Sequence, residues 1–113
     1  MTNGIEFLST QEKHALSEIK RRVSAVFQVR QYLLFGSKAR GDAREDSDVD
    51  LLIVTGSRLT SQDRGRISHE IFEVNLACDT NFSYIVIDAD EWEEGMTSVM
   101  PFHDNVLRDG VLV

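Results

Sequence analysis

The sequence predicts an α/β (α+β) fold, a small mixed β-sheet with helices packed on it. Three observations predict it. Segments with apolar residues at three- and four-residue spacing alternate with short β-prone apolar runs, the first run stopping at Gly36 and the second at the Thr55-Gly56-Ser57 turn. The apolar runs are central-strand length. No internal repeat or linker interrupts the alternation, so residues 1–113 are expected to form one domain.

Taken in order, Ser9-Thr10-Gln11-Glu12 reads as a capping box, after which Leu16, Ile19, Val23, Val26 and Phe27 recur at helical spacing. This predicts a helix from Thr10 to Gln28. Tyr32-Leu33-Leu34-Phe35 is a strand that stops at Gly36, and Ser37 to about Arg44 is expected to be a short helix opening directly after the glycine. Val49 to Val54 is a second strand, Thr55-Gly56-Ser57 a turn, and Gln62 to about Cys78 a helix carrying Ile67, Ile71, Val74 and Ala77. Phe82 to Ile87 gives a third strand, Asp88 or Asp90 caps a short helix through Trp92, and Gly110 to Val113 adds an edge strand.

Composition narrows the function. An apolar fraction of 42% and a charged fraction of 27% are those of an ordinary globular chain. No apolar run approaches the roughly 20 residues of a membrane helix. The start Met1-Thr2-Asn3-Gly4-Ile5-Glu6 lacks a basic, then apolar, leader, and Cys78 is a lone cysteine, so a cytoplasmic location is expected. A net charge of −7 argues against tracking a nucleic-acid backbone, which requires an extended Lys/Arg face. The three histidines have no ligand-like neighbours, Trp92, Phe102 and Tyr84 read as core or, where exposed, as part of a partner surface, and Lys20-Arg21-Arg22 reads as a solvated helix face.

The informative segment runs from Phe35-Gly36-Ser37-Lys38-Ala39-Arg40-Gly41-Asp42 to Ser47-Asp48-Val49-Asp50-Leu51. A Gly-Ser pair that ends a strand and opens a helix lets phosphate reach backbone N–H groups, and Ser37 adds a hydroxyl. Asp48 and Asp50 are two apart at a strand start, which puts both carboxylates on one face, about 7 Å apart at Cα. Two hard oxygen donors with open positions suit Mg²⁺. Together these halves predict a triphosphate held at Gly36 and Ser37 and bridged through Mg²⁺ to Asp48 and Asp50, the arrangement for nucleotidyl transfer. A calcium-loop reading from Asp46 fails because Leu51 replaces the turn glycine and Ser57 the bidentate glutamate; a P-loop reading fails because Asp42-Ala43 follows Gly41.

Gly36-Ser37, ten intervening residues and then Asp48-Val49-Asp50 resembles the signature of the DNA polymerase β-type nucleotidyltransferase superfamily. The Gly-Ser-x-Ala-Arg-Gly form and the short chain are similar to its minimal nucleotidyltransferases, many of which are antitoxin partners of HEPN-domain proteins. The resemblance implies catalytic and metal-binding roles for Asp48 and Asp50, phosphate binding at Gly36, Ser37 and Arg40, ATP as substrate with Mg²⁺ as cofactor, and transfer of AMP to a hydroxyl of a partner protein. It also implies that a second chain or dimer mate completes the pocket. The family commonly places a third acidic residue on the next strand. Here Phe82-Ser83-Tyr84 puts Ser83 in that place, which leaves open an impaired module that acts on its partner by contact.

Overall fold

The computed structural model describes residues 5–44 and 47–113. Met1 to Gly4, which carry the expectation about a leader, and Glu45 and Asp46 lie outside the described residues. In chain order the elements are α1 (Thr10–Ser24), β1 (Val29–Phe35), α2 (Ser37–Arg40), β2 (Val49–Thr55), α3 (Ser61–Cys78), β3 (Phe82–Asp88), α4 (Ala89–Glu94), a 3₁₀ turn (Met96–Val99), α5 (Pro101–Asp109) and β4 (Val111–Leu112).

Among the described residues the strands form one four-stranded mixed sheet in the order β3-β2-β1-β4. β1 pairs antiparallel with β2 and with β4, while β2 and β3 run parallel, joined by the α3 crossover. The parity of the strands sorts their side chains between two cores. Leu34 of β1, Val49, Leu51 and Ile53 of β2 and Phe82 of β3 pack with Ile19 of α1 and Ile71 of α3. The opposite face sends Leu33, Leu52, Val54 and Ile87 against Ala89 and Trp92 of α4 and Val106 of α5. Each fully buried aliphatic side chain in these layers contributes about 1.5–3 kcal/mol of transfer free energy.

Most expected elements are present, and the departures have local causes. α1 begins on the capping box, with Ser9 Oγ accepting from Glu12 N at 3.1 Å and Glu12 Oε1 accepting from Ser9 N at 2.8 Å. It ends at Ser24 rather than Gln28, because Val26 and Phe27 turn back to hydrogen-bond the Val23 carbonyl so that the chain can enter β1 at Val29. α2 is a single turn and stops at Arg40 rather than Arg44. Gly41 takes a left-handed conformation (φ 84°) there, and a Cβ on it would come within 2.6 Å of the Phe7 ring. Asp88, rather than Asp90, caps α4 through its bond from Glu91 N.

Sequence periodicity missed α5. Only Val106 of this helix is fully buried, and its start is marked by Pro101 in the first turn rather than by an apolar stripe. Phe102 extends the second core by meeting Phe35 edge-on at 5.4 Å and Trp92 at 6.3 Å. The Lys20-Arg21-Arg22 stretch is only partly the solvated face expected. Arg21 is exposed, but Lys20 bonds the Val113 carbonyl and Arg22 lies half-buried between Glu18 and Glu70. No helix among the described residues is long and apolar enough to cross a membrane.

Candidate active site

The expected site residues gather at one end of the sheet. β1 ends at Phe35, paired across the antiparallel ladder with Asp50, and Asp50 is in turn paired across the parallel ladder with Ser83. Asp50 shares the face of Leu52 and Val54, and Ser83 that of Ile87, so both point away from α1 and α3. Asp48 lies one residue before β2 and is exposed; Asp50 is half-buried. Gly36 sits directly over Asp50. Its φ of 75° is left-handed, and a Cβ built on it would stand 2.2 Å from Asp50 Oδ2. Both conformation and space therefore require glycine here, and the backbone of the Gly36–Ser37 turn comes close enough to the carboxylate for one ligand to touch both.

Ser37 opens α2, and Gly36 caps the turn without any side-chain bond, so the first N–H groups of the turn have no side-chain acceptor. With one turn only, the backbone donors rather than an extended helix dipole are what α2 offers an anion. Arg40 is exposed and bonds Asp42 Oδ2 at 3.2 Å. Such an exposed pair is worth at most about 1 kcal/mol, so a more strongly charged anion can take the guanidinium from it. Lys38 is buried and pairs with Glu12 at 3.1 Å, bolting α2 to the start of α1.

The electrostatics favour a cation. Burial first, and then the charge of Asp48, push the Asp50 carboxyl above its ordinary range, with Arg40 pulling the other way. The two carboxylates repel one another unless a positive group comes between them. No cluster of three or more His, Cys, Asp or Glu side chains suited to a metal exists among the described residues. The acid complement here is this pair, which matches Mg²⁺ because that ion is commonly held by one or two carboxylates with phosphate oxygens and water making up the rest.

Two contacts at the site have no signature in the sequence. Ser83 Oγ donates to Asp48 Oδ2 at 3.0 Å, and the Asn81 side-chain amide donates to Asp48 Oδ1. Both come from β3 or the residue before it, 33 and 35 positions along the chain. Asp79 and Asp88 do not reach the pair. Asp79 is the left-handed cap of α3, and Asp88 stands opposite Thr55 at the far end of β2. A groove of about 720 Å³ runs beside the site, walled in part by Lys38, Ser47 and Asn81, on the α1 side of the sheet.

With this geometry in hand, the comparisons decide the family: the model of the nucleotidyltransferase domain matches residues 16–92, from α1 through α4. The chain belongs to that family. This nucleotidyltransferase domain is similar to two provisionally named protein adenylyltransferases of Methanocaldococcus jannaschii. One is 34% identical over 62 residues, covering 52% of this chain and 67% of the relative. The other is 33% identical over 73 residues, covering 63% and 74%. Among solved structures, a provisionally named nucleotidyltransferase of Sulfolobus solfataricus superposes with a TM-score of 0.60 at 26% identity, over 99% of this chain and 86% of that one. The fold alone is shared with a minimal nucleotidyltransferase (TM-score 0.58, 24% identity, 96% and 95% covered). It is also shared with a toxin-antitoxin structure holding AMP-PNP (TM-score 0.59, 16% identity, 92% and 72% covered). The mixed sheet with helices on it is thus the nucleotidyltransferase fold expected from the sequence.

Proposed function

We propose that this domain binds Mg²⁺ and ATP at the open end of β2 and transfers AMP to a hydroxyl of a partner protein, acting as the antitoxin of a HEPN-type pair. The observation that carries the reading is the placement of Gly36 over Asp50, with Asp48 two residues away. It brings a phosphate-binding turn and a metal-binding pair within one ligand's reach. The protein adenylyltransferase designation of the two relatives and the AMP-PNP in the toxin-antitoxin structure support the choice of nucleotide and of a protein acceptor.

In this reading Asp48 and Asp50 hold Mg²⁺, which supplies charge neutralisation on the phosphate oxygens and on the pyrophosphate that leaves. The N–H groups at Gly36 and Ser37, the Ser37 hydroxyl and Arg40 hold and orient the triphosphate. The acceptor hydroxyl oxygen attacks the α-phosphorus, the bond to the oxygen bridging the β-phosphate breaks, and pyrophosphate departs. The hydroxyl proton is released to a carboxylate of the pair or to solvent water as the new bond forms.

A second reading has one specific observation in its favour. Ser83 stands opposite Asp50 in the sheet, where the family resemblance leads one to look for a third carboxylate. A chain lacking that acid serves as a module that silences its partner by contact. Calorimetric titration with ATP, with and without Mg²⁺, beside the Asp48→Asn/Asp50→Asn variant tests the site. Binding that needs both metal and aspartates supports the first reading, and absence of binding in every condition rejects it. Labelled AMP appearing on a co-expressed partner, lost in Asp48→Asn, distinguishes transfer from contact alone.

A further inference from the structure

Among the described residues β3 is an edge strand, with no strand beyond its first residue to bond it. A side chain takes the place of that strand. Asn75, in the last turns of α3, accepts from Phe82 N at 2.9 Å through Oδ1 and donates to the Phe82 carbonyl at 3.2 Å through Nδ2. Its Oδ1 also accepts from Thr80 Oγ1 at 3.0 Å, and its own carbonyl accepts from Thr80 N at 3.1 Å. One amide thereby pairs both backbone groups of Phe82, as a neighbouring strand would. The Phe82 ring is buried in the core on the α1 and α3 face, which leaves this residue little freedom.

The residues on either side of Phe82 are the two that bond Asp48. Asn81 donates to Oδ1 and Ser83 to Oδ2, and the Asn81 carbonyl accepts from Val49 N at 3.1 Å, joining the start of β3 to the start of β2. Asp48 is exposed and lies outside the strand, so its own backbone pairing does little to fix the carboxylate. The two donors do. Each carboxylate oxygen keeps a second lone pair for a cation, and because both donors are neutral the charge of the group is preserved.

We propose that Asn75 is a positioning residue for Asp48, setting Phe82 so that Asn81 and Ser83 hold the carboxylate in its metal-accepting orientation. The inference rests on the metal-site reading above. Partners that orient a ligating carboxylate commonly change metal affinity by about tenfold or more when removed. Asn75 bonds neither the nucleotide turn nor the carboxylate pair, and it acts through Thr80 and Phe82, the residues flanking Asn81.

The test is Mn²⁺ binding followed by electron paramagnetic resonance, on wild type, Ser83→Ala, Ser83→Thr, Asn75→Ala and the double alanine variant, well below each melting temperature. Expected are about tenfold weaker binding in both single alanine variants and recovery in Ser83→Thr, which keeps the hydroxyl. The double variant should be no weaker than the weaker single one, because both act on the same carboxylate. If Asn75→Ala does not fold, Asn75→Asp keeps the bonds that Oδ1 accepts and loses the one given to the Phe82 carbonyl, and several-fold weaker binding is expected of it. Wild-type binding with an Asn75 variant within twofold of it would overturn the role of Asn75 and leave the site standing. No Mn²⁺ binding by wild type would remove the site and this role with it.

Discussion

The face of the sheet that carries Asp50 is two different surfaces along its length. Toward the C-terminal ends of β2 and β3, Leu52, Val54 and Ile87 lie under Ala89, Trp92 and Val106. Toward their N-terminal ends the same strands and the same parity present Asp50 and Ser83, with Gly36 rather than a side chain alongside. The second core reaches as far as the Phe35–Phe102 contact, and Phe35 is the residue paired with Asp50. A single period-2 pattern thus yields packing where α4 and α5 cover it and presents polar side chains beyond them. Substitutions in the two halves should accordingly separate stability from ligand binding.

The largest expected effect lies in the covered half. Trp92→Ala should cost about 3–5 kcal/mol in urea unfolding, while the Mg²⁺-dependent ATP affinity of the molecules that remain folded stays near wild type. A parallel loss of affinity would show that α4 shapes the site and would break the division. Next comes Lys38→Ala, which leaves the Glu12 carboxylate buried without its cation and should cost about 3 kcal/mol by the same measurement. Gly36→Ala should cost less, about 1–3 kcal/mol for the left-handed backbone. It should nevertheless abolish ATP binding in calorimetry, because its Cβ and Asp50 Oδ2 cannot share their space.

The smallest effect has the opposite sign. Asp50 has a folded-state pKa raised above its unfolded value, so ionising it works against the fold. Its favourable contribution is complete below the unfolded carboxylate range and is lost as pH rises through the folded pKa. Asp50→Asn should therefore melt slightly above wild type at pH 7, with the gap closing as the pH is lowered through the carboxylate range, and it should lose Mg²⁺-dependent binding. A lower melting point at pH 7 would mean that the carboxylate is held by favourable contacts after all, and the contrast between the two halves would fail.

Much of this was legible locally. The capping box at Ser9 and Glu12, the strand ending at Gly36 and the alternation of Asp48, Val49 and Asp50 are all short-range patterns, and each survives in the fold. Helix ends read less well. The apolar spacing runs on through Val26 and Phe27 although the chain has already turned, and α2 closes at the left-handed Gly41, short of Arg44, where Phe7 leaves no room for a Cβ. α5 was missed although it is amphipathic, because its inward face rests on little more than Phe102 and Val106, one turn apart, too short a repeat to stand out in the sequence.

The sequence by itself determined the composition class, the alternating elements and the identity of the two carboxylates and the Gly-Ser turn, because each depends on residues a few positions apart. Only the tertiary structure decided that Gly36 lies over Asp50, that Ser83 and Asn81 hold Asp48, and that Lys38 is buried against Glu12. The physical reason is strand register and helix docking. They join positions tens of residues apart, and the selection acts on the summed packing of two cores rather than on any pattern within one segment.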